Sequence, residues 1–412
     1  MIPQIKRTEL RMIILQEASA SQDVSMPRVV AQELVSLGIA GVAPTDNEGV
    51  WRVSGVQKVG SLRVADNEVQ IVPKLPIERL FFLLGFARDE SFWRDEIVEL
   101  GSDRGLLPAI AHAFIWHMRN ATSGGVLQGY RTVQSAEPAV RGRVDFAAQL
   151  KRRYGMPVPV EVVFDDFTIN IDENRMLLSA IDRLLRLPQL GKGSRRSLRH
   201  HLGLFIGVSV IPRGAQVPTV RFDRRNAHYR SALKLADLIL SSASLEQQRG
   251  EVTGTGFLLN LSTVFEQFVS KTLGDSLGSV GGQLVTHRTM NLDVNHRLKV
   301  APDMTWVGGG RVLAVADAKY KVEKPSGYPV PDIYQMLAYC TRLGLRHGHL
   351  VYAAGEVQPI AHRIEGADIT VHCHAVDLDG TPDEVLSRIG VIATRVADSS
   401  AQEQGNRWEY AS

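Results

Sequence analysis

The chain has 412 residues, 44% of them hydrophobic, with two cysteines and a formal net charge of +3. That length accommodates two or three domains, each with its own core, and the apolar fraction is ordinary for a globular protein. No run approaches the eighteen apolar residues of a membrane span, and Met1 to Leu10 is charged without a signal-peptide core; Cys340 and Cys373 are too few for a disulfide framework, so a reducing cytoplasm is expected.

From the amino terminus, Pro27 to Leu37 reads as an amphipathic helix started by proline. Trp51 to Lys74 turns to strands: Val53, Val56, Val59, Leu62 and Val64 are interrupted by glycines, and Val69-Gln70-Ile71-Val72 alternates, as in a small β-meander or partial barrel. Ile77 to Ala87 and Leu106 to Arg119 are apolar helices, the second ending near Gly124-Gly125. Val144 to Leu150 and Val158 to Phe164 suggest a hairpin-like excursion with Lys151-Arg152-Arg153 at its bend. Helices follow at Asp172 to Leu187, Arg195 to Leu204 and Asn226 to Ser242. Residues 141 to 230 hold seventeen lysines and arginines against eight aspartates and glutamates, a balance of +9 that leaves −6 for the rest of the chain. Such a block suits a polyanion or an acidic partner surface, or is simply a solvated helical face. The polar, glycine-containing stretch Ser241 to Gly256 is the expected domain boundary. The expectation is therefore an α+β amino-terminal region over 1–245, an α/β domain over 250–395 and a disordered tail over 397–412.

The second domain carries the chemistry. Phe257 to Leu277 reads as a helix, with Glu266 on it beside Phe265. Pro302-Asp303 leads one apolar run, Arg311 to Ala316 leads into Asp317-Ala318-Lys319, and Gly308-Gly309-Gly310 between them supply the positive φ angles of a hairpin. Closing that hairpin brings Asp303 and Asp317 together, where two carboxylates repel unless a hard cation separates them. Mg²⁺ suits such oxygen ligands, polarises a phosphate and acidifies a bound water, and Mn²⁺ is an expected substitute. Glu266 is a candidate third carboxylate for the same metal. Lys319, two residues after Asp317, shares its face of the strand, where an ammonium orients a water or steadies developing charge. A helix opened by Pro331-Asp332 carries the stripe Ile333, Met336, Leu337 and Cys340, with Gln335 and Tyr339 on an adjoining face. Taken singly, a D-x-K on a strand is commonly a solvated face. The order helix-Glu, strand-PD, strand-DxK, helix-QxxxY within about eighty residues is the more specific signal.

That order resembles the PD-(D/E)XK nucleases. Within them the chain is similar to McrC, the nuclease subunit of McrBC modification-dependent restriction systems. The likeness rests on Leu261 to Val269, Pro302-Asp303, Asp317 to Lys321 and Asp332 to Tyr339, and in the first half on Ile71 to Leu75, Arg141-Gly142-Arg143 and Asp172 to Arg175. It covers roughly residues 50 to 390. The resemblance implies a restriction-endonuclease-like fold, with Asp303, Asp317 and Lys319 catalytic and Glu266 and Gln335 in support. It also implies a subunit without a motor, docked by its amino-terminal region on an AAA+ GTPase ring, McrB, which it stimulates and which recognises and translocates modified double-stranded DNA. Two other readings stay open: an assembly factor with a vestigial nuclease fold, and a stand-alone nuclease.

Some motifs carry less. His372-Cys373-His374 hints at a metal, but on a strand the histidines face away from Cys373, and no second ligand cluster is evident in the sequence. Gly254-Thr255-Gly256 and Gly191-Lys192-Gly193-Ser194 do not fit a nucleotide-binding phosphate loop, and Trp116 and His117 read as core and flank.

Overall fold

The computed structural model describes residues 11–17, 21–64, 66–88, 105–187, 190–212, 214–242, 255–320, 330–353 and 360–409. Met1 to Leu10, most of the boundary expected within 241–256, Gly254, Lys321 and the last three residues of the tail lie outside them. The chain divides into two compact units whose segments alternate along the sequence: 1–11, 60–68 and 102–258 form one, and 12–59, 69–101 and 259–412 the other. Among the described residues no helix is long and apolar enough to cross a membrane.

In the first unit, helices Leu106–Ala121, Asp172–Arg186, Lys192–Leu202 and Arg230–Ser242 bury one another's apolar stripes, with Phe114, Leu177, Ile181, Leu198, Ala236 and Ile239 at most 1% exposed. Asn174 is wholly buried, and its Nδ2 donates to the carbonyls of Leu127 (2.8 Å) and Ile169 (2.6 Å). Tyr229 accepts from the Leu127 N–H at 2.9 Å. Two long strands, Gly129–Glu137 and Val160–Thr168, pair antiparallel from Gly129 opposite Thr168 to Glu137 opposite Val160, and Arg143–Val144 adds a short third strand. The expected excursion over 144–164 therefore takes another form. Its second arm is strand from Val160 onward, but its first arm is strand only at Arg143–Val144, and Phe146–Arg152 is a helix with Lys151 and Arg152 in its last turn. Its cause is local: Asp145 caps the helix by accepting from the Ala148 N–H at 3.0 Å, and Gln149 reaches across to the Met156 carbonyl at 2.8 Å. Much of the basic block is internally paired, through Arg141 with Asp166, Arg153 with Glu161, Arg175 with Asp172, Arg186 with Asp182 and Arg225 with Asp223.

Phe257 to Asn260, expected to open a helix, belong instead to the strand Thr255–Asn260. Phe257, Leu258 and Leu259 are all buried, as in a strand covered on both faces, and Asn260 then starts the helix Leu261–Gly278 by accepting from Ser262 N–H at 3.0 Å. Gly60, at φ +130, lies beneath this strand; a Cβ there would come within 2.1 Å of the Phe257 carbonyl oxygen. The expected single meander over 51–74 is two structures. Val50–Ser54 sits between Gln22–Ser25 and Gly41–Pro44, whereas Lys58–Val64 and Asn67–Val72 belong to a different sheet.

The second unit is built on a six-stranded mixed sheet in the order 283–286, 304–308, 311–319, 347–352, 370–375, 360–363. The first three strands are antiparallel, the next two join parallel, and Ile360–Arg363 closes the edge antiparallel. Val315, Leu350, Tyr352, Val371 and Cys373 pack against Met336, Tyr339 and Cys340 of the helix Val330–Leu343. Helices Leu261–Gly278 and Pro382–Glu409 pack together, and Phe268 meets Phe82 and Phe86 of the helix Ile77–Arg88 edge-on at 5.3 and 5.6 Å. The last helix corrects the expectation of a disordered tail: residues 397–409 continue it. Ser399 and Ser400 are buried in it, with Ser399 Oγ donating to the Arg395 carbonyl at 2.8 Å.

Candidate active site

The hairpin that frames the site joins Met304–Gly308 to Arg311–Lys319. Gly308 pairs with Arg311, leaving a two-residue turn at Gly309 (φ +56) and Gly310 (φ +76), the pair of left-handed angles such a turn requires. Met304 then lies opposite Ala316, which sets Asp303 across from Asp317. Each carboxylate accepts a backbone N–H from the other's strand: Asp303 N–H donates to Asp317 Oδ1 at 3.2 Å, and Ala318 N–H to Asp303 Oδ2 at 2.9 Å.

Asp317 is 2% exposed, and its other oxygen lies 2.5 Å from Lys319 Nζ. The same ammonium donates to Gln335 Oε1 at 2.8 Å, Gln335 Nε2 donates to Tyr339 Oη at 2.8 Å, and Tyr339 Oη to the Ala301 carbonyl at 3.4 Å. Alternation along the strand explains the direction: Val315, Asp317 and Lys319 share the face covered by the helix that carries Gln335. Asp317, Lys319, Gln335 and Tyr339 thus form one hydrogen-bonded chain. Burial, and then the Asp317 carboxylate, push the Tyr339 hydroxyl up to about 12, so it stays protonated and donating.

Glu266, Asp303 and a residue the sequence did not single out, His287, form a second group. One ligand atom from each lies within 4.8 Å of the others, the one such set of three among the described residues. His287 Nε2 is 3.0 Å from Glu266 Oε1. Its backbone N–H donates to the Asp303 carbonyl at 3.2 Å. Asp317 stands beside this group, its oxygens turned to Asp303 N and Lys319. Burial raises Asp303 to about 7, with the neighbouring Asp317 carboxylate the next cause, the Ala318 N–H opposing, Glu266 adding and Lys319 opposing. Burial also raises Glu266, which His287 partly offsets. The chemistry of the donors fits a divalent cation: two carboxylates that burial and mutual repulsion hold up are relieved by positive charge. No sequence spacing would have found His287. It follows the strand Gln283–Thr286, and only the register of Thr286 opposite Met304 brings it beside Asp303.

Two further clusters flank the site. Glu17, fully buried and raised by that burial, accepts from the Lys74 N–H at 3.0 Å, and the Tyr320 hydroxyl bonds to it. Lys74 of the Pro-Lys-Leu stretch is thereby tied to the residue after Lys319. His372 and His374 do share one face, as their alternation implied, but they have neighbours. On the parallel strand, His347 Nδ1 lies 3.0 Å from His372 Nε2 and His349 Nδ1 3.0 Å from His374 Nε2, with the His349 ring stacked on those of His372 and His374. Burial lowers His349 far below the usual histidine range and His374 to about 3, so both are neutral.

A family model described as McrBC 5-methylcytosine restriction system component matches residues 54–353. A chain in a structure of a half-complex from the tetradecameric assembly of Thermococcus gammatolerans McrB AAA+ hexamers with bound McrC shares the fold: TM-score 0.60 at 15% identity, over 93% of this chain and 100% of that one. A chain in the cryo-EM structure of the Thermococcus gammatolerans McrBC complex aligns at TM-score 0.39 and 18% identity, over 65% of this chain and 88% of that one. No curated protein matches this chain.

Proposed function

The chain belongs to the McrBC 5-methylcytosine restriction system component family, and on that premise we propose that it is the DNA-cleaving subunit of such a system: a Mg²⁺-dependent endonuclease of PD-(D/E)XK type that docks on a McrB-like AAA+ GTPase ring and stimulates it. The observation that carries the reading is the pairing of Asp303 and Asp317 across one hairpin, with Lys319 fixed between Asp317 and Gln335.

In this reading Asp303, Asp317 and Glu266 hold the cation. A bound Mg²⁺, or Mn²⁺ in its place, supplies charge neutralisation at the scissile phosphate and a water of lowered pKa. The rest falls to the side chains. Asp317 and Gln335 hold the Lys319 ammonium from two sides, which aims it at the attacking water or at the charge growing on phosphate oxygens. Tyr339 fixes the orientation of the Gln335 amide, so that its oxygen rather than its nitrogen faces the ammonium.

Docking and activation fall to residues 1 to about 245, cleavage to residues 250–395. Residues 140–158 of the first unit support a partner surface. Phe146 and Tyr154 are 72% and 84% exposed there, with Val140, Leu150, Met156 and Val158 also exposed, among Arg141, Lys151, Arg152 and Arg153. Apolar side chains gathered on a surface and rimmed by charge mark an interaction site.

The test uses the full chain with a McrB-like ring, GTP and 5-methylcytosine-bearing duplex DNA. Asp303→Ala and Asp317→Ala should lose DNA cleavage and still stimulate GTP hydrolysis. Cleavage by either variant at the wild-type rate refutes the site. A wild-type chain that stimulates the ring but never cuts points to the vestigial reading, and cutting at full rate without the ring points to a stand-alone nuclease.

A further inference from the structure

We propose that His287 is an additional ligand of the cation at this site, and that its nitrogen tilts the site from Mg²⁺ towards first-row transition metals, Mn²⁺ among them. The inference rests on the reading that Glu266 and Asp303 hold a divalent cation, and it assigns a residue and a metal preference beyond that reading.

The geometry has three independent parts. Ligand atoms of Glu266, His287 and Asp303 converge within 4.8 Å of one another, and Asp317 lies across the hairpin from Asp303. Three protein donors from three elements, a helix, a strand end and the start of a hairpin, leave the remaining coordination positions for water and phosphate. Second, His287 is held in place by its backbone, which donates to the Asp303 carbonyl, so the ring and the carboxylate it would share a cation with are set by one hydrogen bond. Third, its backbone is at φ +50, one of two non-glycine residues among those described in the left-handed region. Histidine, with asparagine and aspartate, is among the few non-glycine residues enriched in that region, so the backbone holds the ring there without a large penalty. Here the side chain reaches Glu266 Oε1 at 3.0 Å, with 63% of its surface open to solvent as an entry path.

The donor set decides the preference. Mg²⁺ takes oxygen ligands, keeps its waters and gains little from imidazole. Imidazole nitrogen suits transition metals, whose affinities rise from Mn²⁺ through Co²⁺ and beyond. A site of carboxylates alone would separate Mn²⁺ from Mg²⁺ weakly, and adding His287 widens the gap. A plain ion pair between His287 and Glu266 would give no such gap.

The experiment is calorimetric titration of the full chain with MnCl₂ and with MgCl₂ alone, on wild type, His287→Ala, His287→Asn and Asp303→Asn, with pulsed electron paramagnetic resonance of bound Mn²⁺ as a second readout. Asparagine tolerates the left-handed backbone, so His287→Asn keeps the loop even if alanine strains it. Wild type should bind Mn²⁺ at least tenfold tighter than Mg²⁺ and show nitrogen coupling to the Mn²⁺ signal. Both His287 variants should lose about tenfold in Mn²⁺ affinity, less than threefold for Mg²⁺, and the nitrogen coupling. If both keep the wild-type Mn²⁺ affinity and coupling while Asp303→Asn loses both metals, the His287 assignment falls and the carboxylate site stands. If wild type binds neither metal, both fall.

Discussion

In the proposed reading Asp303 holds a cation at the expense of the fold, and Asp303→Asn should expose that trade. Its carboxyl is raised from the ordinary 3.8 to about 7, chiefly by burial and then by Asp317. Below pH 3.8 both the folded and the unfolded chain hold the proton, and the carboxyl costs nothing. As pH rises, the unfolded chain releases it first, so the folded state loses about 1.4 kcal/mol per pH unit until about pH 7, and the loss is constant beyond. The full span corresponds to roughly 4 kcal/mol, and the side chain's partial contact with water halves it to about 2 kcal/mol. Asparagine removes the charge and keeps an oxygen to accept the Ala318 N–H. The variant should therefore be more stable than wild type by about 2 kcal/mol at pH 8 and by less than ~1 kcal/mol at pH 5. Urea unfolding followed by circular dichroism, in chelator, measures it. Saturating Mg²⁺ should reverse the order, since a ligand at a hundred times its Kd adds about 2.7 kcal/mol to the wild type alone. A variant less stable than wild type at pH 8, or a difference that ignores pH, refutes the account.

Lys319→Ala should abolish cleavage with metal affinity intact, because an ammonium is no cation ligand; calorimetry showing a loss as large as that of Asp303→Asn would make Lys319 structural. The buried imidazoles set an acid limb of the opposite sign to Asp303: His374 is lowered to about 3, so its contribution is whole above pH 6.5 and declines by about 1.4 kcal/mol per pH unit as pH falls towards 3. His374→Leu should flatten that limb in urea melts at pH 4 to 6.5, and an unchanged slope would mean the ring is already charged. Gly310→Ala should cost about 1 kcal/mol, read as a lower melting temperature, with Gly310→Asn milder because asparagine accepts φ +76.

What the sequence made legible was local. Two adjacent glycines between alternating apolar runs specify the hairpin, and i, i+2 and i, i+4 spacing specify that Asp317 meets Lys319 and Gln335 meets Tyr339. Where an apolar run is continuous, periodicity does not separate strand from helix, and Phe257 to Leu259 read as the wrong one. Facts of register were out of reach. His287 joins Asp303 through a pairing between strands, His349 and His374 meet across a parallel pair, and Glu17 meets Lys74 and Tyr320 from far away in sequence. The last helix was hidden by its polar sequence, in which buried Ser399 satisfies its hydroxyl on the Arg395 carbonyl of the same helix.

The alternation of the two units has a consequence for how the protein comes into being. Residues 12–59 and 69–101 leave the ribosome first, yet their compact unit is completed only by residues 259–412. Phe82 waits for Phe268, and Glu17 for Tyr320. At about 5–20 residues per second, synthesis of the intervening 102–258 takes on the order of ten to thirty seconds. Throughout that interval Phe82 and Glu17 lack these later partners, and Glu266, Asp303, Asp317 and Lys319 do not yet exist. A message cut short within residues 102–258 would yield the other unit's helices but none of Glu266, Asp303, Asp317 and Lys319, the groups to which cleavage is proposed to fall.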